Sequence, residues 1–140
     1  MKKQHFTQLI IISLLAWTAS CGFTKGKNLA EAAVVRFHNQ YNSGEFHSIY
    51  AEADEGFRKG DTEANLVDSL KALRTKLGTV KQASQTSWNM NTTPAGTVVT
   101  LSYDTEFSEG KATEHFVFHI NGDQAFLYSY NVNSPLLITK

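Results

Sequence analysis

Hydrophobic periodicity changes once along this sequence, at Gly78, and that change restricts the fold more than any other feature. Before it, apolar residues recur at helical spacing. Ala30, Val34, Phe37 and Tyr41 fall at i, i+4, i+7 and i+11, and so do Leu66, Leu70, Leu73 and Leu77. One face of a helix gathers such positions. After Gly78 the composition shifts to Thr, Val, Ser, Tyr and Phe, and the period drops to two. In "TVVTLSYDTEF" Val99, Leu101, Tyr103 and Phe107 take one face and Thr100, Ser102, Asp104 and Glu106 the other. Helices followed by strands define an α+β domain. The expected architecture is a layer of N-terminal helices on a curved antiparallel sheet.

Local signals set the expected boundaries. Asn28 followed by Glu31 reads as a helix start, and "NSG", Asn42 to Gly44, as its stop. Phe46, Ile49, Tyr50 and Ala53 form the stripe of a short second helix. "DEGFRKGD" breaks the pattern, and Asp61 is expected to cap the Leu-rich third helix, which Gly78 ends. A two-residue loop at Glu109-Gly110 would pair Tyr103 with Phe116, Leu101 with Phe118 and Val99 with Ile120. It would set Asp104 opposite His115. Asn121-Gly122 signals a second tight hairpin. "QAFLYSYNV" follows as a strand, and "TVKQASQTSWNM" supplies a fourth.

The start of the chain carries an address. Lys2 and Lys3 precede the apolar run Leu9–Trp17 and the small residues Thr18 to Ser20, the three parts of a secretory signal. The run is shorter than the roughly 20 residues of a membrane span. Residues 1–20 therefore stand outside the fold. Cys21, the single cysteine, follows at once. Ala19, Ser20 and Cys21 resemble the lipobox of bacterial lipoproteins, in which the Cys becomes the acylated N-terminus. The alternative is a secreted chain with a free thiol, and an unpaired Cys in such a chain needs an explanation. More than one acyl chain gives stable anchoring. By resemblance to enterobacterial lipoproteins, Gly22 after the Cys implies the outer membrane, facing the periplasm. Residues 21–27 then form a linker spanning about 20 Å if extended. Its Lys25 and Lys27 either touch anionic headgroups or are simply solvated.

Removing Lys2 and Lys3 leaves 11 Lys and Arg against 13 Asp and Glu, a formal charge of −2, with no basic block. Phosphate neutralisation needs clustered cations, which speaks against nucleic acid. Residues 28–140 make one domain. With Cys21 acylated no disulfide can form, so the core alone must hold the fold.

"YNSGEFHSIYAEADEGFR", the Leu helix ending in "KLGTV", and "NGDQAFLYSYNV" together resemble the nuclear transport factor 2-like (cystatin-like cone) superfamily. More narrowly, the chain resembles small bacterial lipoproteins of unknown function that carry this domain. The resemblance covers about residues 28–133 and implies a sheet wrapped round a cone-shaped cavity. It implies no activity, because this fold hosts enzymes and inert modules alike.

Several residues invite functional readings. Tyr41, Tyr50, Tyr103, Phe116 and Phe118 would line the cone, or be plain core. Glu114 shares the face of Phe116 and Phe118. Buried, it would be a candidate base; at the rim, merely solvated. The superfamily's isomerase-like members imply such an acid with Tyr or Asp oxyanion donors inside the cone. Asp104 and His115 would form a cross-strand dyad or an ordinary contact beside the turn. His115 and His119 stand about 13 Å apart at strand rise, too far to share a metal, and no metal or other cofactor is expected. With a two-residue last hairpin, Val117, Phe126, Tyr128 and Tyr130 form an outer-face patch suited to association of two copies. A three-residue loop would turn Phe126, Tyr128 and Tyr130 inward.

The expected function is an envelope-anchored, non-catalytic binding module. It would be held to the membrane through acylated Cys21 and take a small apolar ligand or an envelope protein. The alternatives are an isomerase- or dehydratase-type enzyme using Glu114 or the Asp104–His115 pair, and a structural homodimer.

Overall fold

The computed structural model describes residues 20–138, with side chains from residue 24 onward. Residues 1–19 of the expected signal segment lie outside the described residues, as does the side chain of Cys21, while Ser20 begins the first helix. Four helices precede four strands: α1 (Ser20–Ser43), α2 (Phe46–Ala51), α3 (Glu55–Gly60), α4 (Glu63–Leu77), then β1 (Val80–Thr93), β2 (Gly96–Phe107), β3 (Lys111–Asn121) and β4 (Gln124–Asn133). A 3₁₀ turn, Pro135–Leu137, follows. The strands form one open, curved antiparallel sheet in the order β1-β2-β3-β4, and the α+β expectation holds.

The helices cover one sheet face. Both stripes read from the sequence are buried, Ala30, Val34, Phe37 and Tyr41 on α1 and Leu66, Leu70, Leu73 and Leu77 on α4. They share one buried core with Val99, Leu101, Tyr103 and Phe107 of β2 and Phe116 and Phe118 of β3. Of the two helices α1 packs directly on the sheet, and α4 packs on α2. Each such aliphatic or Phe side chain contributes roughly 1.5–3 kcal/mol on burial. Among the described residues no helix is long and apolar enough to cross a membrane.

Four boundaries differ from expectation. Asn28 does not start α1, which runs back to Ser20 and takes in the linker. Gly26 makes this possible: α1 lies so close to β1 that a Cβ there would sit 3.0 Å from Met90 Sδ. "DEGFRKGD" is no plain break but holds α3, whose N-cap Asp54 accepts from Gly56 N. The cap of α4 is Thr62, one residue past Asp61. Fourth, the β2–β3 hairpin closes at Phe107 and Gly110 around Ser108-Glu109.

That last shift has a tertiary cause. Ser108 N donates to Thr79 O and Glu109 N to Leu77 O, an otherwise orphaned carbonyl of α4. The turn is tied to the Gly78 corner, where φ is +77°. Leu101 therefore faces Phe116, Val99 faces Phe118, Thr97 faces Ile120 and Tyr103 faces Glu114. Each pairing moves by two residues, so every side chain keeps its face.

The β3–β4 hairpin pairs Asn121 with Gln124 around Gly122-Asp123. Gly122, at φ +60°, supplies the positive φ that a type II′ turn requires at its first central position. The loop has two residues, as favoured, but begins one residue later. A register shift between the Phe118 and Val117 pairs then interrupts β4. Ala125 and Leu127 face the core before it, and Tyr130 packs on the core after it.

Candidate functional site

β3 carries Glu114 between Ala112 and Phe116 on the core face, and its side chain is completely enclosed, at 0 % exposure. The rim reading of Glu114 is thus overturned. Three side chains satisfy the carboxyl group. His38 Nε2 lies 2.8 Å from Oε2, Thr105 Oγ1 donates to Oε2 at 2.6 Å, and the Tyr130 hydroxyl donates to Oε1 at 2.7 Å. Such short bonds to a carboxylate are the strong, charge-assisted kind. Each partner comes from a different element: α1, β2 and β4.

His38 and Thr105 were absent from the expected set, yet both were signalled. His38 lies four residues after Val34 and three before Tyr41, beside the α1 stripe. Thr105 continues the inward alternation of β2 between Tyr103 and Phe107. A polar residue inside an apolar pattern was the available signal.

The aromatic residues pack densely around this centre. The Phe37 ring lies 5.2 Å from Phe116 and 4.6 Å from Tyr130, and Phe116 stacks on Phe118 at 6.0 Å and 8°. A pocket of about 20 Å³ beside Phe37, Phe118 and Leu127 has room for little more than a water. Tyr41, Tyr103, Phe116 and Phe118 are core residues. The Tyr41 hydroxyl donates to Gly78 O at 3.0 Å, joining the end of α1 to the sheet entry. Tyr50 stands apart from the Glu114 centre, its hydroxyl 3.2 Å from both Arg58 O and Asp61 O.

Burial raises the pKa of all three core tyrosines. It pushes Tyr103 up to about 12, with Glu31 and Glu114 adding repulsion. It raises Tyr41 as well, partly offset by Arg74. Tyr130 is pushed well above its ordinary value by burial first, then by the charge and hydrogen bond of Glu114. A phenol held so firmly protonated is a hydrogen-bond donor rather than a proton carrier near neutral pH.

Asp104 and His115 do not pair. The hairpin shift sets His115 opposite Ser102, with Oγ and Nδ1 2.9 Å apart. Asp104 instead accepts from Thr113 Oγ1 at 3.3 Å. His119 turns to Asp54, Nδ1 to Oδ2 at 3.1 Å, and stacks on Tyr128 at 4.2 Å. Among the described residues no three His, Cys, Asp or Glu side chains gather into a metal site.

The expected outer patch divides. Val117 and Phe126 are half-buried, and Tyr128 is exposed. Tyr130 does not join them, because the shift in β4 sends it to Glu114. The lysines of the former linker are engaged: Lys25 pairs with Asp123, and Lys27 pairs with Glu31 and lies 5.5 Å over the Trp88 ring.

Two larger depressions open at the surface. One, of about 760 Å³, lies by the β2–β3 hairpin and is lined largely by polar side chains such as Gln82, Asp104, Glu106 and Lys111. The other, of about 560 Å³, runs between α3, α4 and β4 and is lined by Phe57, Leu66, Leu70, Leu73, Tyr130 and Val132 among others. Glu114 lines neither. The second sets an apolar wall of Phe57, Leu66, Leu70, Leu73 and Val132 beside the polar side chains of Asp61, Ser69, Ser129 and Asn131.

A family model described as a protein of unknown function, DUF4019, matches residues 33–130. The span takes in His38, Thr105, Glu114 and Tyr130. No curated protein matches the chain.

Proposed function

The chain belongs to the DUF4019 family, and on that premise we propose a membrane-anchored binding module with no catalytic step of its own. The carrying observation is the enclosure of Glu114. A general base must come within hydrogen-bond reach of the proton it removes. Glu114 instead holds His38, Thr105 and Tyr130, and rings fill the space around it. The centre fixes α1, β2, β3 and β4 to one another. Ligand binding is assigned to the open groove between α3, α4 and β4, which has one apolar wall.

The nuclear transport factor 2-like cone is the fold reading we favour. Helices on one face of a curved sheet and an aromatic interior support it. Anchoring rests on Cys21 in its lipobox-like setting, and Gly22 supports an outer-membrane address facing the periplasm. The binding test is titration of the full chain with an apolar fluorophore, anilinonaphthalene sulfonate. Saturable binding is expected for the parent and little for Ser69→Arg, which puts a long cation into the groove. Equal binding by both proteins removes the groove from the proposal. For the anchor, Cys21→Ser should move the protein from the membrane to the soluble fraction.

One observation favours the enzyme reading: Tyr130 both lines the groove and donates to Glu114. That reading requires a substrate in the groove to reach Glu114 through Tyr130. It predicts that Glu114→Gln removes turnover while leaving groove binding intact.

A further inference from the structure

The sheet ends at β4, and its free edge is covered over only half its length. Near its start, Arg36 Nη2 donates to Ala125 O at 3.5 Å and Asp54 N to Leu127 O at 2.8 Å. Past the register shift the cover stops. Among the described residues none outside the sheet hydrogen-bonds the backbone of Ser129–Val132. This uncovered stretch forms one wall of the 560 Å³ groove, and Leu66, Leu70 and Leu73 stand across it on α4. Gly60 keeps the α3 side open, with nothing within 4 Å of where its Cβ would be.

Resting on the groove reading above, we infer that Ser129–Val132 accepts an extended polypeptide segment by strand addition. The segment alternates apolar and polar residues and carries Lys or Arg at the Asp61 end. An unpaired strand edge is a template for another chain. Main-chain hydrogen bonds supply affinity, and every second side chain enters the apolar pocket.

The other occupants fit less well. A lipid tail would fill the apolar wall and leave the β4 N–H and C=O groups without partners, which is costly once they are desolvated. A second copy of β4 would bring Ser129 and Asn131, both polar, while its Tyr130 is already held in its own core. Charge supplies the direction. Among the described residues Asp61 is the sole charged one lining the groove, and no ion pair engages it. A cation at that end of the guest strand completes it.

The test is selection of short peptides, randomised within an alternating apolar–polar pattern, on the immobilised full chain. Selected peptides should bear Lys or Arg at one end. On binding, the amides of Tyr130 and Val132, which alternate outward from the ladder to β3, should become protected from hydrogen exchange. Ser69→Arg should weaken binding at least about tenfold. Asp61→Asn should weaken it up to about fivefold, with a flatter salt dependence, as fits an ion pair at a rim. Peptides that bind without protecting those amides overturn strand addition. So does the failure of any peptide to be enriched over the Ser69→Arg control. If the fluorophore still binds the parent groove in that case, strand addition alone has failed. If it does not, the groove reading fails too.

Discussion

Tyr130 donates its hydroxyl to Glu114 Oε1 at 2.7 Å although the two are not cross-strand partners: Glu114 lies opposite Val132, and Tyr130 opposite Phe116. The bond is a diagonal contact on the core face. It exists because the register shift in β4 turns Tyr130 inward.

Glu114 is expected to be the most sensitive polar position. Glu114→Ala strands the Tyr130 and Thr105 hydroxyls and His38, and each stranded buried group costs about 1–3 kcal/mol. Tyr130→Phe loses one bond, at about 1–3 kcal/mol. Urea unfolding of the two single variants and the double variant should show a coupling of about 0.5–3 kcal/mol. Additive effects would mean that the two side chains do not interact.

Alkaline pH should unfold the protein through its tyrosines. Tyr103 is raised to about 12, and Tyr41 and Tyr130 are raised as well. In the unfolded chain they ionise near pH 10. Above that the unfolded state binds fewer protons than the folded state, so stability falls as pH rises. The contribution is whole below about pH 10 and is lost as pH climbs through the folded pKa values. Phenolate absorbance should therefore rise together with the loss of helical circular dichroism. Full ionisation of every Tyr near pH 10 with the fold intact would contradict this.

Gly78 should not tolerate a side chain. Its φ is +77°, and an added Cβ would lie 1.8 Å from Ser108 Oγ. Gly78→Ala is expected to cost at least about 1–3 kcal/mol, the usual cost of such backbone strain. Gly78→Ala combined with Ser108→Gly relieves the clash but not the strain, so it should recover only part of the loss in thermal unfolding.

The helix caps offer a sharp comparison. Thr62 accepts from Asn65 N at the start of α4. Thr62→Ala should cost about 1 kcal/mol, and Asp61→Ala distinctly less. Asp54→Ala should exceed both, because Asp54 caps α3 and also holds His119. The reverse order in denaturant midpoints would argue against this assignment of caps.

By itself the sequence determined what repeats locally. The period change at Gly78 separates helices from strands. The stripes of α1 and α4 are the buried ones, and the inward set Val99, Leu101, Tyr103 and Phe107 follows from alternation alone. These hold because side-chain direction is a property of the chain's own geometry. The tertiary structure decided everything that depends on where one element ends against another. The β2–β3 turn sits at Ser108-Glu109 because their N–H groups reach Thr79 O and Leu77 O. The shift in β4 brings Tyr130 in, and Glu114 is enclosed because four elements converge on it. Such positions are set by hydrogen-bond partners distant in sequence, to which hydrophobic period is blind.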